Sequence, residues 1–305
     1  MRKHLLDSSI SYYGIFLLAK YLPVRITRLI GKIIVSFVYI FSQKDRQGLA
    51  FNLSQALNLP VNDPLIRQTV RRIFMNYGQY MADFFIIPQC SSNRVKKFFS
   101  YLKGKEQLEQ ILAKGKGAIL LTAHLGNWEI GGSMLRAMDY PLTLVVMGHN
   151  SDSSNTLVNQ LRDNKGINIT QVDQSPFSGL EILNRLRKNE IIAMSGDKDF
   201  FGRGRPTLFF GNQVNFPVGP LALSMASGAP IIPAFVLRQK DGRYFGILEE
   251  AIWPGKINHN ESRSKYLDHN LNKIARIFEH YIRSYPDQWY CPDPINLPAV
   301  TGFHQ

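Results

Sequence analysis

Three short polar segments of this 305-residue sequence carry residue types able to do chemistry. The first is Ala123-His124-Leu125-Gly126-Asn127-Trp128-Glu129, directly after the β-rich run 118–122. A histidine at a strand mouth can serve as a general base when a carboxylate holds its other nitrogen and fixes the tautomer. Glu129, five residues on across a glycine-containing bend, is the expected orienter. Of the seven histidines, only His124 has an acid at this spacing. The spacing alone fits a solvated or core histidine better; the place at a strand end, before a helix start, brings the two readings level. Gly126 permits the tight bend, and Asn127 has the side chain of a helix cap.

The second segment follows the apolar run at Ile191 and reads Ser195-Gly196-Asp197-Lys198-Asp199-Phe200-Phe201-Gly202-Arg203-Gly204-Arg205. Acids, cations and glycines at this density make a poor core and a good polar loop. Asp197 can orient a nucleophile or accept ligand hydroxyls. Arg203 and Arg205 can fork onto phosphates. A charged surface turn explains the same composition. The third segment, Leu161-Arg162-Asp163-Asn164-Lys165-Gly166, closes a helical pattern. There Arg162 can meet an anion, or simply the helix C-terminus.

These loops need elements to carry them. From about residue 117, β-rich runs recur at 118–122, 142–147, 167–172, 191–194, 231–236 and 244–248. Helical patterns such as 155–164 and 178–188 separate several of them. Strands alternating with helices imply an α/β fold with a mixed, mainly parallel sheet flanked by helices. Ligands of such sheets sit beyond the C-terminal strand ends, where the first two segments fall. Residues 46–110 read as a helical lead-in. Asp63-Pro64 starts one helix, and Ile66, Val70, Ile73, Phe74, Tyr77 and Met81 give it an apolar stripe. Residues 111–255 form the α/β core. Residues 256–305 hold a closing helix over 262–284 and a Pro-rich irregular tail.

The chain carries 36 Lys and Arg against 23 Asp and Glu, a net charge of +13, which implies acidic partners. Eight of the cations lie in residues 1–46, against Asp7 and Asp45. There Ile26, Leu29, Ile30, Ile33, Ile34, Phe37, Val38 and Phe41 recur with helical period, while Arg25, Arg28 and Lys32 share another face. The pattern predicts a basic, apolar helical segment over 1–45, lying in the interface of an anionic membrane. Packing against the protein's own core is the alternative. Pro23 and the charges argue against a regular span, and Asp7 fits a cleavable signal peptide poorly.

Several chemistries lack their residues. The sequence has no G-x-S-x-G elbow, no P-loop, no G-x-G-x-x-G after the first strand and no zinc spacing. Cys90 and Cys291 make no C-x-x-C pair. No recognition motif supports nucleic-acid binding, and neither a metal nor a cofactor is expected. Asp197-Lys198-Asp199 is also the D-x-D arrangement of a metal-dependent glycosyltransferase, which would leave His124 and Glu129 unused. A non-catalytic membrane scaffold would explain the N-terminus and nothing else.

Taken together, the segments resemble the bacterial lipid A biosynthesis (lauroyl/myristoyl) acyltransferases, within the wider glycerolipid acyltransferase superfamily. The resemblance runs through the basic N-terminal helix, Asn52-Leu53, the His124–Glu129 motif, Leu161–Lys165, Gly196–Gly202, Phe209-Phe210-Gly211 and residues 217–233. It implies an acyltransferase domain over 46–305, moving an acyl chain from acyl carrier protein or acyl-CoA to a hydroxyl of a lipid A precursor or related glycolipid. By the same resemblance His124 and Glu129 would be catalytic, while Arg162, Asp197, Asn127, Arg203 and Arg205 would hold substrate. The expected place is the cytoplasmic face of the inner membrane, bound peripherally or monotopically. The residues after Asp199 depart from the best-known enterobacterial members.

Overall fold

The computed structural model describes residues 9–147, 162–163, 166–172, 176–255 and 263–295. Seven strands form one sheet in the order β1-β9-β8-β2-β5-β3-β4. They are β1 Phe99–Lys103, β2 Ala118–Thr122, β3 Leu142–Met147, β4 Asn168–Val172, β5 Ile191–Ser195, β8 Ile231–Arg238 and β9 Tyr244–Leu248. From β8 to β4 all neighbours are parallel, whereas β9 pairs antiparallel with β8 and runs parallel to edge strand β1. The mixed, mainly parallel sheet is as the alternating pattern predicts. Central strand β2 is buried along its whole length, as expected of a strand covered on both faces.

Three strands escape the sequence pattern. β1 lies where only a helical lead-in is expected, ahead of helix α6 (Lys105–Leu112). β6 (Arg205–Phe209) and β7 (Asn212–Phe216) form an antiparallel hairpin outside the main sheet. The helical pattern over 155–164 falls almost wholly outside the described residues.

The N-terminal third is helical: α1 Ser9–Tyr21, α2 Val24–Phe41, α3 Gln43–Leu57, α4 Pro64–Ile86 and α5 Ser92–Lys97. The first break falls at Pro23, which cannot donate within a helix. Asp63 caps α4 by accepting from the Leu65 amide at 2.7 Å, ahead of a proline at the first helical position. α2 lies against α4 at Gly31 and Gly78. A Cβ on either glycine would come within 2.6 Å of the other's carbonyl oxygen, so the two backbones touch. Arg28 of α2 forks the buried Asp83 of α4 at 2.7 and 3.0 Å. This docking leaves Leu29, Ile33, Phe37, Ile40 and Phe41 exposed on the outer side of α2. Among the described residues no helix is long and apolar enough to cross a membrane.

The closing helix, Arg263–Ser284, buries Leu267, Leu271, Ile274, Phe278 and Ile282 against the sheet. The tail beyond it is more ordered than its composition suggests. Pro286–Gln288 makes a 3-10 turn, and Trp289 pairs with Leu125 in an isolated antiparallel bridge. Asn52, fully buried on α3, donates to the Cys291 and Asp293 carbonyls at 2.6 and 2.8 Å.

Candidate active site

β2 and β5 pair in register, Thr122 opposite Ser195, and the Gly196 amide extends the ladder to the Thr122 carbonyl at 2.8 Å. Both chains leave the same sheet edge side by side, which brings position 124 to position 197. The His124 Nδ1 lies 2.6 Å from Asp197 Oδ1, and the His124 amide donates to Asp197 Oδ2 at 2.9 Å. One carboxylate thus holds both the ring and the backbone of the histidine. Asp197 is sealed, its side chain 2% exposed, while His124 keeps 25% of its side chain open. Burial pushes the Asp197 carboxyl up, but the His124 ring, its amide and Lys198 outweigh this and hold it below the usual carboxylate range. An anion on Nδ1 fixes the proton there and leaves Nε2 free to accept one.

Glu129 does not orient this histidine. It sits in the first turn of α7 (Trp128–Ala137), which carries its carboxylate to Arg162. Arg162 donates through Nη2 to Glu129 Oε1 and through Nε to Oε2 at 3.3 Å. Both side chains are nearly sealed, at 6% and 9% exposed. The expectation that Glu129 holds His124 is therefore corrected; Arg162, expected to meet substrate, has Glu129 as its ion-pair partner. A strand-end neighbour in register outcompetes an acid that the helix turns away.

The remaining expected residues divide. Asn127 stands beside His124 but makes no capping bond to α7. Its amide nitrogen turns instead to the Tyr80 carbonyl at 3.5 Å. Arg205 is held away from the histidine by Asp268, at 2.6 and 3.0 Å, and by Ser264. Arg203 is exposed, outside the cleft lining. Neither arginine is brought together with His124: a hairpin strand carries Arg205 toward the closing helix. The D-x-D reading asks Asp197 and Asp199 to face one ion. Asp197 instead faces His124, while Asp199 closes its own loop, accepting from the Phe201 and Gly204 amides at 3.2 and 2.6 Å.

His124 opens onto a cleft of about 90 Å³. Tyr77, Tyr80 and Tyr290 form part of its wall, Tyr77 stacking on Tyr290 with ring centroids 4.1 Å apart. The tail completes the floor. The Gln288 carbonyl accepts from the Gly126 amide at 2.9 Å, and its side chain exchanges two bonds of 2.9 Å with the Arg238 backbone. Gly126 has φ +67°, and a Cβ there would lie 2.0 Å from the Val236 carbonyl oxygen, so the His124 loop rests directly on β8. Tyr290, Gln288 and Arg238 were not anticipated from sequence. The irregular composition of the tail hid the first two, and Arg238 looks like any strand-end cation.

Comparison with known proteins agrees with this architecture. A family model described as bacterial lipid A biosynthesis acyltransferase matches residues 3–291. A phosphatidylinositol mannoside acyltransferase of Mycobacterium tuberculosis is 27% identical over 192 residues, covering 61% of this chain and 60% of that protein's length. A phosphatidylinositol mannoside acyltransferase of Mycolicibacterium smegmatis is 24% identical over 252 residues, or 81% of this chain and 78% of that protein. With a match over nearly its whole length, and a histidine–carboxylate pair at the strand ends, the chain belongs to the bacterial lipid A biosynthesis acyltransferase family.

Proposed function

We propose that the protein is an O-acyltransferase that moves a fatty acyl chain from a thioester to a hydroxyl of a glycolipid. The observation that carries this reading is the His124–Asp197 pair at the edge of the cleft. Nε2 of His124 takes the proton as the acceptor oxygen attacks the thioester carbonyl. The tetrahedral adduct collapses, breaking the C–S bond. The imidazolium then returns its proton to the departing thiolate, so that ester and free thiol leave. Asp197 stays ionised throughout and stabilises the imidazolium. No serine or cysteine nucleophile is needed.

The donor is acyl carrier protein or acyl-CoA, either of which suits a chain of net charge +13. The acceptor belongs to the class of a lipid A precursor or a mannosylated phosphoinositide, the second drawn from the names of the relatives. The work site is the cytoplasmic face of the inner membrane. Support comes from the row Leu29, Ile33, Phe37, Ile40 and Phe41, which is exposed beside Arg25 on α2. Such a row rests stably at a lipid interface, with the cation at headgroup level.

The test is acyl transfer by the purified full chain from palmitoyl-CoA to glycolipid in mixed micelles, followed by mass spectrometry. A product heavier by one acyl group is expected from the wild type, and almost none from His124→Ala. Equal turnover by the two proteins would overturn the mechanism.

A further inference from the structure

We propose that Arg238 is the cleft's phosphate-binding residue and that one substrate of the reaction carries its phosphate there. The inference rests on the acyl-transfer reading above and adds to it a ligand chemistry and a residue. Arg238 ends β8, the parallel neighbour of β2, and lines the same cleft as His124. Its backbone is clamped on both sides by Gln288, so the side chain starts from a fixed point.

The guanidinium meets only neutral partners. One arm donates to Asn76 Oδ1 and another, at 3.5 Å, to the Gln239 carbonyl. Asn76 is itself fixed, its amide nitrogen donating to the Asp287 carbonyl at 2.7 Å and to its carboxylate at 3.2 Å. Among the described residues no carboxylate stands within ion-pair distance of Arg238. Of the other arginines weighed for anion binding, Arg162 faces Glu129 and Arg205 faces Asp268, while Arg203 lies outside the cleft lining.

Chemistry supplies the rest of the argument. A guanidinium is charged at every working pH and carries five N–H donors in a planar fork. Partly buried beside tyrosine rings with only amide oxygens for company, it retains donors and an uncompensated charge. Such a group gains most from an anion whose oxygens match the fork, and phosphate does so bidentately. Asn76, bridged to the 286–288 turn, acts as the stay that aims the fork into the cleft. The phosphate can belong to the glycolipid acceptor or to the phosphopantetheine arm of the donor. Both present the same group to Arg238.

Four substrate pairings separate these sources. Palmitoyl-CoA and palmitoyl-N-acetylcysteamine differ in phosphate on the donor side. A phosphatidylinositol mannoside and octyl mannoside differ on the acceptor side. For Arg238→Gln, KM for the phosphate-bearing partner is expected to rise about 10- to 100-fold, the worth of a charge-assisted pair. The loss on the pairing without any phosphate should be smaller by about tenfold, so the ratio of the two losses is the readout. Dependence on the acceptor places the phosphate in the glycolipid, and dependence on the donor places it in the pantetheine arm. Arg238→Lys, which keeps the charge but loses the fork, should fall between.

Equal losses with and without phosphate would overturn the inference while leaving acyl transfer intact. An inactive wild type on all four pairings would instead sink the acyltransferase reading. A measurement on unmodified protein guards against a variant that does not fold. Inorganic pyrophosphate should compete with the phosphate-bearing partner more strongly than chloride at equal ionic strength. Absence of that competition counts against the site.

Discussion

Two buried acid–base pairs flank the mouth of β2, and they differ in what their cation can do. Glu129 and Arg162 are both nearly sealed, and a guanidinium holds its proton at any working pH. His124 and Asp197 pair a sealed carboxylate with a ring still one-quarter open to the cleft, and an imidazole, unlike a guanidinium, can pass a proton on. The first pair braces α7 through Arg162. The second can move a proton. Charge complementarity therefore does not distinguish a strut from a catalytic pair; the partner's capacity to titrate, and its access to the cleft, do.

Substitutions at three of the four positions sharpen or break that contrast. The largest effect is expected at His124→Ala, with turnover per folded molecule falling by roughly 10²–10⁴-fold, the usual worth of a general base. Asp197→Asn should follow closely, since an amide cannot stabilise the imidazolium, and single-turnover acyl transfer reads the loss. Glu129→Gln reverses the pattern. Stability should drop by about 3–5 kcal/mol in urea titration, as for a broken buried pair, with less loss of turnover per folded molecule than at Asp197. If Glu129→Gln stays as stable as wild type but loses as much turnover as Asp197→Asn, the division into strut and base is wrong.

A weaker effect comes from pH. Asp197 is held below the usual carboxylate range, so its contribution to stability is present above the ordinary value near 3.8 and fades as pH falls toward its folded value. Asp83, which receives the Arg28 fork and the Tyr244 hydroxyl, is shifted the other way, because burial outweighs them. Its contribution declines as pH rises from 3.8 through its raised value. Melting curves across the acidic range should accordingly lose a rising slope in Asp197→Asn and a falling one in Asp83→Asn. Identical slopes in the two variants would contradict the opposed shifts.

Much of this was legible in the residues. Strand positions and the parallel sheet followed from apolar runs separated by helical periods, and His124 stood out because it follows a strand. Its partner did not, because sequence distance favours Glu129 while space favours Asp197, 73 residues away. Only strand register could join them, and the order of strands in a sheet is not written in periodicity. The same blindness hid Gln288 and Tyr290, which reach the cleft across the whole length of the domain. The hairpin β6–β7 was missed for a local reason: its strands lie outside the sheet and alternate buried with exposed positions, so they make no continuous apolar run. Apolar periodicity in α2 was visible, yet which face would turn outward depended on Gly31 and Gly78 meeting.

The Gln288 clamp has a consequence in time. The His124 loop and the end of β8 are both tied to the 286–288 turn, which follows every strand of the sheet, and Asn52 is bonded to Cys291 and Asp293 just beyond that turn. During synthesis the residues of all seven strands emerge while the cleft still lacks its floor. Competence for chemistry thus waits on a segment that contributes nothing to the sheet itself.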